Sequence, residues 1–318
     1  MKLFLTGATG YIGGSVAAKL LSAGHQVVGL VRSQAKAATL QEFGIEPLIG
    51  SLADQELLIE AARNADGVIN AADSDNRSVV ATILSVLEGT GKPFIQTSGS
   101  SIVGDKAGGE PSDSEALLLS ADRIFDEDTP LLPVPEKVNR VAIDQMVIDA
   151  AQRGVRSIVL CNSLIYGQGL GLKPDSIQVP LLINQAKKSG IARYIGRGLN
   201  IWSTVHISDV ADLYLLALER ARAGSFFFVE NGEAKFKDIV EAISQQLGLG
   251  GKAQSWSIEE AIAEWGFEPA VFALGSNSRV RATKARKLLG WNPKEPALLD
   301  GVKQELVSPG AKWLKTLV

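Results

Sequence analysis

The residues Thr6-Gly7-Ala8-Thr9-Gly10-Tyr11-Ile12-Gly13 follow an apolar run, Leu3-Phe4-Leu5, and lead directly into a helical pattern spanning residues 12–21. A tight reversal between strand and helix needs glycine wherever a Cβ would collide. Gly7 suits the turn itself, Gly10 a close approach of backbone to a ligand, and Gly13 the packing of helix against strand. The first turn of a helix also leaves amide groups without partners, so the spacing predicts a pyrophosphate site built from Gly7, Thr9, Gly10, Tyr11, Ile12 and Gly13. A glycine motif alone says little; here a second apolar run at residues 26–31 completes a βαβ unit at the right distance.

The same alternation continues. Short apolar runs at residues 2–6, 26–31, 45–49, 67–71, 94–97 and 157–161 are separated by helix-length segments, among them 33–43, 55–63, 79–87 and 138–152. Runs that are apolar throughout suit strands covered on both faces. The expected fold is therefore α/β, a doubly wound parallel sheet (Rossmann) with a smaller, mostly helical C-terminal substrate lobe. The expected division is a dinucleotide-binding domain over residues 1–168, with 202–229 returning to it, and a substrate lobe over 169–201 and 230–318. One long irregular segment, the acid-rich residues 105–133, reads either as a functional lid or as a solvated insertion.

Charge at the end of the second strand selects the dinucleotide. A carboxylate there holds the free ribose hydroxyls of NAD, whereas a cation accepts the 2′-phosphate of NADP. This chain has Val31-Arg32-Ser33 with Lys36 one helical step on, and no Asp or Glu lies between His25 and Gln41. Arg32 and Lys36 point to NADP(H). Further cofactor contacts are expected at the carboxyl ends of later strands, from Leu52, Ala71, Ala72, Ser98, Ser163 and Leu164.

Composition excludes other classes. A net charge of −3 shows no basic excess, so no nucleic-acid partner is expected. The single Cys161 rules out an internal disulfide framework and a multi-cysteine zinc site, and no metal is expected. No window approaches the roughly 18 apolar residues of a membrane span, and the N-terminus lacks a signal-peptide pattern. A cytoplasmic protein that handles a small molecule, without membrane attachment, is the expectation.

Five further segments carry a family signature. Asn70-Ala71-Ala72 ends the fourth strand, Thr97-Ser98-Gly99 through Gly104-Asp105 forms a serine-rich strand end, and Leu164-Ile165-Tyr166-Gly167 forms a turn. Later come Trp202-Ser203-Thr204-Val205-His206-Ile207-Ser208-Asp209-Val210-Ala211-Asp212 and Arg286-Lys287-Leu288-Leu289-Gly290-Trp291-Asn292-Pro293. Together with the TGxxGxxG turn, these resemble the extended and atypical short-chain dehydrogenases, the epimerase/dehydratase-like branch, over most of the chain.

The resemblance breaks at the chemistry. Such relatives use a tyrosine as proton donor or acceptor, a lysine four residues on, and a hydroxyl that polarises the substrate oxygen. The tyrosines are Tyr11, Tyr166, Tyr194 and Tyr214, and four residues beyond them stand Ser15, Leu170, Gly198 and Leu218, so YxxxK is absent. Aligning residues 134–152 by their apolar face puts Glu136 at the tyrosine position and Arg140 at the lysine position. Gly99 falls at the hydroxyl position, leaving Ser98 or Ser100 to reach across. Arg140 can support ribose as a fixed cation but not act as a base. Tyr166, Ser98 and Glu136 are the candidate proton handlers: Tyr166 as donor with Ser98 orienting the oxygen, and Glu136 as donor only if burial raises its pKa. Trp202, His206, Ser100 and Arg281 are expected to meet substrate.

With Arg32 and Lys36 pointing to NADP(H), the expected activity is that of an NADP(H)-dependent oxidoreductase reducing a small carbonyl compound, the most economical reaction because hydride transfer is the cofactor's own chemistry. Two alternatives stay open, a nucleotide-sugar epimerase or dehydratase and a non-catalytic NADP(H)-binding redox sensor. A homodimer paired through residues 79–87 and 138–147 is also expected, as relatives pair such helices.

Overall fold

The computed structural model describes residues 1–111 and 124–304. Its first half alternates strictly: β1 (Lys2–Thr6), α1 (Tyr11–Ser22), β2 (Gln26–Val31), α2 (Gln34–Glu42), β3 (Glu46–Ile49), α3 (Gln55–Asn64), β4 (Gly67–Asn70), α4 (Arg77–Leu87) and β5 (Pro93–Gly99). Then follow β6 (Ile124–Phe125), α5 (Val138–Asp149), β7 (Arg156–Asn162) and β8 (Leu164–Tyr166). The remainder comprises α6 (Gln178–Ser189), β9 (Ala192–Ile195), β10 (Ile201–His206), α7 (Ile207–Arg220), β11 (Ser225–Val229), β12 (Glu233–Lys235), α8 (Phe236–Gln246) and β13 (Ala253–Trp256). Last come α9 (Ile258–Trp265), α10 (Phe267–Pro269), β14 (Arg279–Val280), α11 (Thr283–Leu289) and α12 (Leu298–Gln304).

The main sheet has seven strands in the order β11-β7-β5-β4-β1-β2-β3, and every pairing in it is parallel. Strand order reverses beside β1, so β1 and β4 flank the crevice where such sheets bind ligands. The continuous apolar runs are explained by the pleat. Leu3 and Leu5 of β1 join the core beneath α1 and α7, while Phe4 between them joins the core beneath α3, α4 and α5. Ile158 and Leu160 of β7 likewise alternate with Val159.

β10 does not enter this sheet; it joins β8 and β12 in a separate three-stranded sheet. The chain returns with α7, which packs on α1, and with β11, which pairs β7. A second core gathers Leu164, Leu182, Ile183, Phe236, Ile239 and Leu298, binding α6, α8 and α12 into the lobe.

The acid-rich segment is fastened at both flanks, while its residues 112–123 lie outside the described residues. On one side Asp105 accepts hydrogen bonds from the Asn277 backbone N at 2.7 Å and side-chain Nδ2 at 3.0 Å. On the other, Glu127 accepts from the backbone N of Phe228 at 3.2 Å and of Lys284 at 3.1 Å. Val79, Val80, Ile83, Leu84, Leu87, Ile143 and Val147 are all buried within the chain itself, and Val138 alone of the large apolar residues of α4 and α5 remains strongly exposed. No helix among the described residues is long and apolar enough to cross a membrane.

Candidate active site

Two clefts open beside the glycine turn. The first, of about 820 Å³, is lined by Gly7, Thr9 and Gly10 on one side, Arg32 and Lys36 at one end, and Leu52, Ala71, Ala72 and Asn76 among its other walls. Gly7 has φ +75°, and a Cβ there would sit 2.5 Å from the Ala71 carbonyl oxygen. A Cβ on Gly13 would come within 2.3 Å of the Gly7 oxygen. Gly10 caps α1 and supplies no side chain to its first amides, so those donors face the ligand space. These features fit a dinucleotide pyrophosphate. No carboxylate lines the cleft, and Arg32 and Lys36 stand where the adenosine ribose of such a ligand would lie.

The second cleft, of about 370 Å³, lies at the carboxyl ends of β5 and β7. Ser98, Ser100, Ser101, Arg140, Asn162 and Ser163 line it together with the polar Ser176, Gln178 and Glu268, while Tyr11, Ile12, Ile165, Ile177, Leu181, Trp202 and Phe272 form much of the rest. Asn162 is 4 % exposed and its Oδ1 has no hydrogen-bond partner among the described residues. Arg140 is held on two sides. Its Nε donates to Asp75 Oδ1 at 2.8 Å, Nη2 engages Asp75 Oδ2, and Nη1 donates to Ser101 Oγ at 3.1 Å. Burial works against the Arg140 charge, but the Asp75 hydrogen bond and charge outweigh it and raise its pKa. That same hydrogen bond holds the Asp75 carboxyl below the usual range.

Most of the expected residues gather here, in two groups. Gly7, Thr9, Gly10, Arg32, Lys36, Leu52, Ala71 and Ala72 line the first cleft; Tyr11, Ile12, Ser98, Ser100, Arg140, Ser163 and Trp202 line the second. Gly13 and Leu164 line neither and act through packing.

Four expectations need correction. Tyr166 is not a donor to the cleft, because its hydroxyl donates to the Pro296 carbonyl and its ring packs in the lobe core, edge-on to His206. Glu136 is not desolvated. It sits in the turn Pro135–Lys137 ahead of α5, pairs with Lys106 at 2.5 Å, and that hydrogen bond lowers its pKa instead of raising it. His206 lines neither cleft; its Nδ1 accepts from Ser208 N at 3.2 Å and caps α7. Arg281 also lies away from both, pairing with Glu233 at 3.0 Å.

Asp75, Ser101, Asn162 and Asp144 are site residues that the sequence pattern does not single out. Asp144, 2 % exposed on α5, accepts a hydrogen bond from Ser98 Oγ at 2.6 Å, and its other oxygen has no hydrogen-bond partner among the described residues. Burial pushes its pKa up to about 7, against the Ser98 hydrogen bond and the Arg140 charge. The signal was present, since Asp144 stands four residues after Arg140 and shares its helical face.

The model of the NAD dependent epimerase/dehydratase family matches residues 3–227. The uncharacterized protein C2A9.02 of Schizosaccharomyces pombe is 34% identical over 96% of this chain and 99% of its own length. The oxidase ucsJ of an Acremonium species is 31% identical, with 94% of each covered. A 4-hydroxy-2-methyl-3-oxo-4-farnesyl-3,4-dihydroquinoline-1-oxide ketoreductase of Stigmatella aurantiaca is 23% identical over 92% of each. Among solved structures, dTDP-glucose 4,6-dehydratase of Bacillus anthracis in complex with NAD superposes with a TM-score of 0.75 at 19% identity, covering 99% of this chain and 96% of that one.

Proposed function

The chain belongs to the NAD-dependent epimerase/dehydratase family, and we propose that within it the protein is an NADP(H)-dependent oxidoreductase that reduces a small carbonyl compound. The observation that carries the reading is the first cleft, where Arg32 and Lys36 share the wall with Gly7 and Gly10 and no carboxylate competes for the phosphate. The oxidase and ketoreductase names among the relatives favour redox chemistry over sugar epimerisation.

NADP(H), when bound, supplies the hydride. Arg140, fixed by Asp75 and Ser101, holds the ribose next to the reacting centre as a permanent cation. Ser98 directs its hydroxyl to the substrate oxygen, and Asn162 offers an acceptor beside it. Ile165, Ile177, Leu181, Trp202 and Phe272 exclude water from an apolar substrate body.

Titration with NADPH and NADH, followed by protein fluorescence, tests the cofactor; NADPH binds at least tenfold tighter, about 1.4 kcal/mol. Absorbance of the nicotinamide band with a panel of aldehydes, ketones and sugar nucleotides tests the reaction. Tight binding without turnover across the panel supports the sensor reading. Conversion of a sugar nucleotide with no net change in the nicotinamide band supports an epimerase or dehydratase. Sedimentation at micromolar concentration separates the proposed homodimer from a monomer.

A further inference from the structure

We propose that Asp144 is a positioning residue whose protonation state sets which way the Ser98 hydroxyl hydrogen points in the second cleft. The proposal rests on the reductase reading only for its catalytic consequence; the coupling itself stands on geometry. Ser98 lines the cleft, and its Oγ lies 2.6 Å from Asp144 Oδ2. Asp144 does not line the cleft, is almost fully buried, and among the described residues has no hydrogen-bond partner on Oδ1. An ionised carboxylate has no hydrogen to give, so Ser98 must then donate to it and present only lone pairs to the cleft. A protonated Asp144 can instead donate to Ser98 Oγ, which frees the serine hydrogen for a ligand oxygen.

The charged and titratable neighbours make both states accessible. Arg140, one turn earlier on α5, favours the carboxylate, but its charge is shared with Asp75 from the segment before α4. On β7 the buried Cys161 thiol is held neutral, its pKa pushed up by its own burial. Burial of Asp144 outweighs the Ser98 hydrogen bond and the Arg140 charge, and the carboxyl pKa is raised to about 7.

With bound NADPH as the reductant, leaving as NADP+, the C=O π pair of the substrate would move to oxygen, Ser98 would pass its proton to that oxygen, and the Asp144 carboxylic proton would pass to Ser98. Asp144 is left as carboxylate and is reprotonated from solvent before the next turnover. In the oxidative direction the ionised Asp144 accepts, through Ser98, the proton of an alcohol. One pair of residues thus replaces the missing phenol and favours reduction on the acid side.

The deciding experiment follows carboxyl ionisation in the full-length protein by isotope-edited infrared or ¹³C NMR with labelled aspartate, comparing wild type, Asp144→Asn and Ser98→Ala. The expected result is one carboxyl that titrates near pH 7, vanishes in Asp144→Asn, and moves to higher pH in Ser98→Ala because the carboxylate loses its donor. A carboxyl ionised throughout pH 5–9, or one whose titration ignores Ser98→Ala, overturns the coupling. With an accepted carbonyl substrate, wild-type reduction falls about tenfold per pH unit above pH 8, and Asp144→Asn loses that dependence while keeping NADP(H) affinity. A variant that keeps the wild-type pH profile overturns the proton path. An expected titration with no turnover of any carbonyl leaves the coupling in place and counts against the reductase reading instead.

Discussion

Arg140 and Asp75 grip each other at two points, Nε donating to Oδ1 at 2.8 Å and Nη2 engaging Oδ2, across 65 residues of sequence. The arrangement sets the position of the one cation that lines the second cleft among the described residues. An ammonium cannot reproduce a planar two-point pair. Arg140→Lys is therefore expected to weaken NADP(H) about tenfold despite keeping the charge. Its stability falls by no more than roughly 1 kcal/mol, because the Asp75 side chain is half exposed and the pair is partly screened. Calorimetric titration and thermal unfolding measure the two effects, and unchanged affinity would remove Arg140 from the binding site.

In the first cleft, Arg32 is the cation proposed to meet the 2′-phosphate of NADP(H). Arg32→Ala should weaken NADPH by about tenfold, the loss of one charge-assisted contact, and leave NADH nearly unchanged. Competitive titration with both nucleotides reads this directly. Equal losses for the two would mean that Arg32 contacts something they share.

The sheet and the glycine turn were legible because a fully apolar run has one good home, a strand covered on both faces, and because Gly7, Gly10 and Gly13 fall between strand and helix. The site was less legible, for geometric reasons that particular residues illustrate. On β8, Ile165 faces the cleft while its neighbours Leu164 and Tyr166 face the lobe core. A one-residue step along a strand reverses the side, and sequence alone gave Tyr166 an edge of the sheet without its face. Glu136 was misplaced because the helical count was carried back past the start of α5 into the turn Pro135–Lys137. Asp144 lay on the correct face, but no motif directs attention beyond the lysine position.

Tyr166 supplies a sharp test of that correction. Its hydroxyl binds the Pro296 carbonyl and its ring is 3 % exposed, so Tyr166→Phe removes a buried hydrogen bond and leaves the cleft intact. Turnover of any accepted substrate is expected to stay within about twofold, while stability drops by roughly 0.5–1.5 kcal/mol. A hundredfold loss of turnover at unchanged stability would restore Tyr166 as the proton donor.

Two glycines separate steric need from chemical loss. A Cβ on Gly13 would stand 2.3 Å from the Gly7 carbonyl oxygen, whereas one on Gly99 would meet Arg140 Nη1 at 3.5 Å, an ordinary contact. Gly13→Ala is thus expected to cost about 1–3 kcal/mol and to abolish cofactor binding, as overpacked backbone must move. Gly99→Ala should change stability by less than about 0.5 kcal/mol. Denaturant midpoints and nucleotide fluorescence compare the pair, and equal damage from both would contradict the room beside Gly99 for a Cβ in ordinary contact.

The Asp144 carboxyl also makes stability depend on pH, with a sign opposite to that of carboxylates whose folded pKa is lowered by ion pairing. Its folded pKa is raised from an ordinary 3.8 to about 7, so between those values the folded chain holds a proton that the unfolded chain has released. Stability linked to this group is complete below the unfolded pKa and is lost as pH rises toward the folded one. The loss is on the order of 1.4 kcal/mol for each pH unit crossed, an upper figure for a group with polar neighbours. Asp144→Asn cannot ionise, so it should lack this slope and gain on wild type from pH 4 to 7, with the difference constant above about 8. Thermal unfolding of the two proteins in matched buffers gives the comparison. If wild type instead gains on Asp144→Asn as pH rises, Asp144 is ionised in the fold and its charge is stabilised by Arg140.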